Sequence, residues 1–289
     1  MNIDTYIHKA KILVEALPYI NKFQNTITVI KYGGSAIADE NLKKNVIEDI
    51  SFLKMVGLKV VVVHGGGKKI NQALEKNNIK INFNNGLRVT DQDSMEIVES
   101  VLSGIINKSL VSDFNKLNVN AVGISGKDAN VLIAEKLIKN NIDLGFVGEI
   151  KKVNTDLILT LLDNGFLPVI SPISTNEQGQ SFNVNADMAA VEIAKALKAS
   201  KLVFMTDIDG ILTNFEDKTS LISQLNINTA QTLIENKSVS GGMIPKLESC
   251  INAVNNGVKA VHIINGKILH SLLLEIYTKE GIGTVITKF

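Results

Sequence analysis

Apolar strand patterns and helical patterns alternate along almost the whole chain, and that alternation limits the fold more than any other feature. Ile27–Ile30, Lys59–Val63, Leu167–Ile170, Lys201–Met205 and Lys259–Ile264 are short runs dominated by β-branched and aliphatic residues, with no polar face of their own. A strand that is apolar on both faces needs cover on both faces. Ala121–Ile124 and Val131–Ala134 read as further strands. Between them the apolar spacing predicts helices over about Asn41–Met55, Lys68–Lys76, Asp93–Phe114, Thr155–Asn164, Ala186–Leu197 and Met243–Asn255. Gly165 closes the fourth of these. Strands alternating with helices argue an α/β fold around a parallel sheet covered on both sides.

The remaining composition excludes whole function classes. Hydrophobic residues make up 45% of 289 residues, too many for a mainly disordered chain. The formal net charge is +1, which suggests neither a nucleic-acid surface nor an acidic tail. A single cysteine, Cys250, excludes an internal disulfide framework and reads as a small core residue. No apolar run reaches the roughly 18 residues of a membrane-spanning helix. At the N-terminus, Ile3, Ile7, Ala10, Val14 and Leu17 form one stripe, with Tyr6 and Leu13 beside it. They predict an amphipathic helix ended by Pro18, without the continuous apolar segment of a signal peptide. Ser174–Asn183 is a polar loop where two lobes would meet.

Glycine-rich turns follow two of the strands, at Gly33-Gly34 and at Gly65-Gly66-Gly67. In an open parallel sheet, ligands bind at the carboxyl ends of strands, where glycine lets backbone N–H groups approach an anion. Neither turn is a P-loop or a dinucleotide fingerprint. Lys31 stands one residue before one glycine pair, and Lys246 follows another, Gly241-Gly242, in the first turn of a helix. A lysine there opposes the helix dipole, so its placement favours a bound phosphate nearby. Asn183-Val184-Asn185-Ala186-Asp187 opens another helix, and capping is its plain explanation. Arg88 is the only arginine among 30 Lys plus Arg residues and the one side chain suited to a bidentate carboxylate contact. Asp91 or Thr90 would cap the helix that follows it. Thr206-Asp207-Ile208-Asp209-Gly210 is a polar turn after a strand, suited to a nucleotide or magnesium. His64 ends an apolar strand and reads equally as a structural histidine. No His, Cys, Asp or Glu cluster has metal-ligand spacing.

Taken in order, Lys31-Tyr32-Gly33-Gly34, Val63-His64-Gly65-Gly66-Gly67, Gly86-Leu87-Arg88-Val89-Thr90-Asp91, Ser125-Gly126-Lys127-Asp128, Asn183-Val184-Asn185-Ala186-Asp187 and Ser240-Gly241-Gly242-Met243-Ile244-Pro245-Lys246 resemble the amino acid kinase family. Gly86–Asp91 is similar to its acetylglutamate branch. The resemblance covers about Leu17 to Gly283. It implies an αβα sandwich around a mainly parallel open sheet, with an N-terminal helix (residues 1–20), an acetylglutamate-binding lobe (21–182) and an ATP-binding lobe (183–289). ATP would phosphorylate the side-chain carboxylate of N-acetyl-L-glutamate, the second step of arginine biosynthesis. Lys31 and Lys246 would stabilise the transferring phosphoryl group, and Asp187 would orient them. Gly66, Gly67, Arg88 and Asn183 would hold the substrate. Gly33, Gly34, Thr206, Asp207, Gly241 and Gly242 would contact the nucleotide. Mg²⁺ would be held mainly by phosphates and water, with no protein metal site.

The ends resemble the arginine-inhibited subgroup. There the N-terminal helix interlaces dimers into a hexamer, a trimer of dimers. His262, Glu275, Gly281 and Gly283 would form the arginine site, with Glu275 pairing the effector's cation. Asn265 and Ile268-Leu269-His270-Ser271 depart from that subgroup's usual residues, and Lys68-Lys69 from the family's. Some plastid and cyanobacterial members bind the signalling protein PII. The chain would be cytoplasmic, or in the plastid stroma if plastid-encoded. Two other readings remain: a sister kinase acting on a carrier-bound aminoadipate or glutamate, and a catalytically silent regulator that binds arginine or PII.

Overall fold

The computed structural model describes residues 3–37, 39–84, 86–139, 142–213, 217–236, 238–239 and 242–289. Eight strands form one sheet in the order Gln224–Asn226, Thr284–Thr287, Ala260–Asn265, Lys201–Thr206, Ile27–Tyr32, Lys59–His64, Leu167–Ser171 and Ala121–Ser125. The six strands from Ala260–Asn265 to Ala121–Ser125 are parallel. Thr284–Thr287 runs antiparallel to Ala260–Asn265 and takes Gln224–Asn226 with it. Strand alternation divides the core. Val29, Val61 and Val63 face one layer with Ala189, Ala190, Leu247 and Cys250. Ile30, Val60 and Val62 face the other with Val46, Ile50, Leu102 and Phe114. This is an αβα sandwich, and burial pushes the Cys250 thiol up to about 12.

The central strand Ile27–Tyr32 sets the position of the site. Lys59–His64 lies on one side and Lys201–Thr206 on the other, with Lys31 level with Val63 and Phe204. The chain leaves this strand toward one neighbour and returns on the far side with the other. That reversal opens a crevice at the carboxyl ends. It brings Lys31, Gly33-Gly34, His64-Gly65 and Thr206-Asp207 to one edge.

Three segments differ from the sequence reading, and four short elements were not read at all. The first helix runs Ile3–Phe23 and passes through Pro18. Proline removes one backbone hydrogen bond there, but the turn beyond it is anchored. Tyr19 sits edge-on to Tyr277 at 6.4 Å between centroids, and Lys201 Nζ lies 4.4 Å from the Phe23 ring. The long helix expected over Asp93–Phe114 is Gln92–Glu99, a π-helical segment Ser100–Ile106, then Asn107–Lys116. Asp91 caps its start by accepting from the Ser94 N–H. Ser174–Asn183 contributes the ends of a hairpin, Ile173–Thr175 against Ser181–Asn183. That hairpin closes a small barrel with the long ribbon Leu132–Lys139 and Ile142–Val153. The strands Gln224–Asn226 and Thr284–Thr287 and the helices Ile227–Glu235 and Ser271–Tyr277 have too little local periodicity to be read from sequence.

The barrel is tied to the segment carrying Arg88. Thr90 N–H donates to Leu144 O at 3.0 Å, and Phe146 N–H donates to Thr90 O at 2.6 Å. Gly145 between them has φ +72°, and a Cβ there would overlap Thr90 O. Gly145→Ala is therefore expected to cost about 2 kcal/mol or more of unfolding free energy in urea. Gly165→Ala, at φ +79° with open space around it, is expected to cost about 1 kcal/mol. Equal losses at the two positions would show that the Thr90 contact does not constrain the barrel.

Candidate active site

Asp187 stands in the first turn of helix Ala186–Ala196. The cap of that helix is Asn185, whose side chain accepts from the Asp187 and Met188 N–H groups. Capping thus falls to Asn185, and the Asp187 carboxylate is free to take two lysines. Lys31 Nζ lies 2.9 Å from Oδ1, and Lys246 Nζ 2.7 Å from Oδ2. Burial alone would raise this carboxyl, but the two ammonium groups outweigh it and hold Asp187 at about 2. Lys246 also lies 4.9 Å from the Phe204 ring centroid. Lys31 folds back over Gly33, where a Cβ would overlap its ammonium group.

A cleft of about 220 Å³ opens beside Lys31, floored by Gly65, Gly66 and Gly67. Arg88 and Asn183 line it. Arg88 is 8% exposed. Its Nη2 donates to Asn71 Oδ1 and to Gly67 O, its guanidinium stacks 4.8 Å from the Phe83 centroid, and its Nη1 is buried without a partner. A buried guanidinium with an unused donor suits a carboxylate. Asn183 donates to Thr90 Oγ1 at 3.1 Å. The opposite wall is apolar, with Ile70, Leu102, Val147 and Pro172. Beyond Asp187 and Lys246 a larger hollow of about 790 Å³ continues past Gly242 and Pro245.

The nucleotide candidates divide. Gly34, at φ +69°, lies against the Asp207 carboxylate, 3.1 Å from the place of a Cβ. Lys267 Nζ approaches the same carboxylate at 3.9 Å. Thr206 Oγ1 closes its own turn, accepting from Ile208 N–H and donating to Ile208 O. Gly242 opens the Lys246 helix without a side-chain cap, and Gly241 lies outside the described residues. Asn71 and Phe83 were missed in the sequence, where nothing distinguishes them from ordinary helix and turn residues, whereas Asn185 does the capping expected of its motif.

A second cluster gathers all four effector candidates. His262 Nδ1 lies 2.7 Å from Glu275 Oε1, and Glu275 Oε2 accepts from the Ile282 and Gly283 N–H groups at 2.8 and 3.0 Å. A Cβ on Gly281 (φ +68°) would overlap that oxygen. Burial favours the neutral carboxyl, yet His262 and the backbone donors hold Glu275 below its usual range. Lys201, unremarked in the sequence as the polar start of a strand, donates to His262 Nε2 at 3.1 Å. Burial pushes its ammonium down to about 8.

The model of the amino acid kinase family matches residues 26–265. The chain belongs to the amino acid kinase family. Within it, the chain is 57% identical to the acetylglutamate kinase of Caldanaerobacter subterraneus subsp. tengcongensis, over 98% of this chain and 94% of that one. It is 49% identical to the acetylglutamate kinase of Methanocaldococcus jannaschii, over 100% and 99%. An N-acetylglutamate synthase from Neisseria gonorrhoeae, solved with coenzyme A and N-acetyl-glutamate, superposes with a TM-score of 0.86 at 27% identity. The match covers 97% of this chain but only 63% of the synthase, so the family member spans less than two thirds of that protein. The same synthase solved with L-arginine gives 0.82.

The charge arrangement makes a pH prediction. Asp187 is depressed below its ordinary 3.8 in the folded state, so its stabilising contribution is present above that value. It is lost as pH falls from about 4 through about 2. Lys246→Ala is expected to raise the Asp187 carboxyl pKa, read by ¹³C NMR titration. Asp187→Asn is expected to flatten the fall in stability across that window. An unmoved carboxyl in Lys246→Ala would refute the pairing.

Proposed function

We propose that this chain transfers the γ-phosphoryl group of ATP to the side-chain carboxylate of N-acetyl-L-glutamate, forming N-acetyl-L-glutamyl 5-phosphate in arginine biosynthesis. One observation carries the reading. The Lys31–Asp187–Lys246 bridge stands beside a cleft that Lys31, Arg88 and Asn183 line, in a chain whose curated relatives at 49–57% identity are acetylglutamate kinases.

The nucleophile is a carboxylate and needs no general base. The obstacle is repulsion between that carboxylate and the triphosphate. Two ammonium groups sharing one carboxylate leave one net positive charge at the meeting point, which offsets it. The Gly66 and Gly67 N–H groups, at the start of a helix, add donors without a side chain in the way. Arg88 takes a carboxylate of the acceptor, and the apolar wall takes its aliphatic and acetyl carbons. On the other side Gly33, Gly34, Asp207 and Gly242 border the nucleotide. Among the described residues no group of three His, Cys, Asp or Glu side chains could hold a metal ion. With Asp187 engaged by two lysines, the magnesium of MgATP travels with the phosphates as part of the substrate.

ADP release from MgATP is expected with N-acetyl-L-glutamate and not with glutamate or N-acetylaspartate. Lys246→Ala is expected to lower kcat about 100- to 1000-fold with the fold intact. Equal turnover with free glutamate, or full turnover in Lys246→Ala, would overturn the assignment.

The second cluster supports arginine as an inhibitor, with Glu275 as the carboxylate that meets its guanidinium. The N-terminal helix supports a hexamer. Ile3, Leu13 and Val14 are 68%, 67% and 63% exposed, part of an apolar face with no cover in the single chain. Glu275→Gln is expected to keep basal turnover and lose arginine inhibition. Removing residues 3–20 is expected to lower the native mass and arginine sensitivity together. Inhibition unchanged in both variants would remove this reading and leave the kinase.

A further inference from the structure

His64, before the three glycines, is completely buried and takes no part in the chemistry described above. Its Nδ1 lies 3.0 Å from the Gly65 carbonyl oxygen and its Nε2 3.2 Å from Asn107 Nδ2. A carbonyl only accepts, so Nδ1 carries the proton. Asn107 Nδ2 also lies 2.9 Å from Val169 O and 3.3 Å from Ile124 O, two more groups that only accept. These carbonyls fix the amide with its nitrogen toward His64; one hydrogen goes to Val169 O and the other is shared between Ile124 O and Nε2, which accepts because the ring's proton is on Nδ1. Burial pushes the imidazole down to about 4, so the ring stays neutral through the physiological range.

The tautomer has a geometric consequence. A trans peptide is planar, so the Gly65 carbonyl and the Gly66 N–H point in opposite directions. A carbonyl held on His64 turns the Gly66 N–H away from that ring. Gly66 lines the cleft, and as the helix N-cap its N–H has no intrahelical acceptor. Glycines on both sides leave this peptide soft to rotation unless something holds it. The holding parts are specific. Gly65 N–H donates to Tyr32 O at 2.9 Å, and Leu102 and Ile106 of the π segment close over the Gly66 α-carbon, where a Cβ would overlap both. The π segment ends at Asn107, and Gly123 lacks the Cβ that would strike the Asn107 amide oxygen. An inserted residue in a helix re-aims the side chains that follow, and such bulges recur at functional sites.

We propose that Asn107 and His64 are positioning residues: Asn107 fixes the His64 tautomer, His64 holds the Gly65 carbonyl, and the Gly66 N–H is thereby kept aimed into the cleft where carboxylate and phosphoryl group meet. This rests on the kinase reading above, which the wild-type turnover assay tests separately.

His64→Asn places an amide donor near the Nδ1 position, and His64→Gln places one near Nε2. The expected result is a kcat about 10- to 100-fold lower in His64→Gln, with His64→Asn within about threefold of wild type. A residue that only fills the core predicts equal losses in the two variants, and that result would overturn the proposal. The second measurement needs neither turnover nor a variant that folds well. ¹⁵N shifts of the ring in the wild-type protein are expected to show a protonated Nδ1 and a bare Nε2 from pH 6 to 8. A proton on Nε2 would overturn it. Should the wild type be inert with acetylglutamate, the kinase reading falls, while the ring shifts and the Gly66 amide shift in His64→Asn against His64→Gln still decide the positioning.

Discussion

Two lysine ammonium groups share one carboxylate at the carboxyl edge of the sheet, and the rest of the molecule is arranged to make that sharing possible. Side by side without Asp187, Lys31 and Lys246 would repel each other. With it, three elements distant in sequence converge: the central strand, the helix Ala186–Ala196 and the helix Met243–Asn255. The bridge is short of one negative charge, which makes it a receptor for an anion rather than a neutral structural pair. Its burial is what gives this deficit force, since the same charges in open water would be screened.

A parallel sheet suits such a site because its register is fixed by apolar faces, not by the site. Val29, Val61 and Val63 on one face and Ile30, Val60 and Val62 on the other leave no alternative alignment of the central strands. Lys31 and the glycine turn after His64 therefore arrive together whatever ligand is present. The glycines then accept their neighbours where a Cβ would overlap them, Lys31 over Gly33 and Leu102 and Ile106 over Gly66, while Gly34 at φ +69° lets Asp207 come close. Positions where the backbone must be approached are the ones the chain leaves without side chains.

This explains what was legible in the sequence. The central strands and the helices between them are continuous apolar patterns, so their order and the covered parallel sheet followed directly. The motif residues Lys31 and Gly66 near strand ends and Asp187 and Lys246 in first helical turns come together because strand ends and the helices beside them converge in this topology. The barrel was not. Its ribbon Leu132–Lys139 and Ile142–Val153 mixes lysines and glutamates with aliphatics on a surface half open to water, so its period is weak. The π segment was hidden because a single inserted residue leaves the apolar spacing close to helical. Pro18 misled for the opposite reason: its local penalty is real, but Tyr19 and Phe23 are held by tertiary contacts that local rules do not see. Lys201 and Asn107 were invisible because burial, not residue type, gives them their roles.

The two ionic clusters sit on neighbouring strands of one sheet and the helices that cover it, and their difference is instructive. In the first, a carboxylate is outnumbered by cations beside a cleft. In the second, Glu275 is satisfied on every side, by His262, by two backbone N–H groups and, through the imidazole, by Lys201. Lys201 reaches Glu275 only through the imidazole, and burial pushes its ammonium down to about 8. Lys201 opens the strand that ends at Thr206, next to Asp207 and Gly34. Five residue steps of extended chain, about 17 Å, separate the two ends. The strand is bonded on both sides, to Ile27–Tyr32 and to Ala260–Asn265, so the register that seats Lys201 beside His262 also sets where Thr206 and Asp207 emerge.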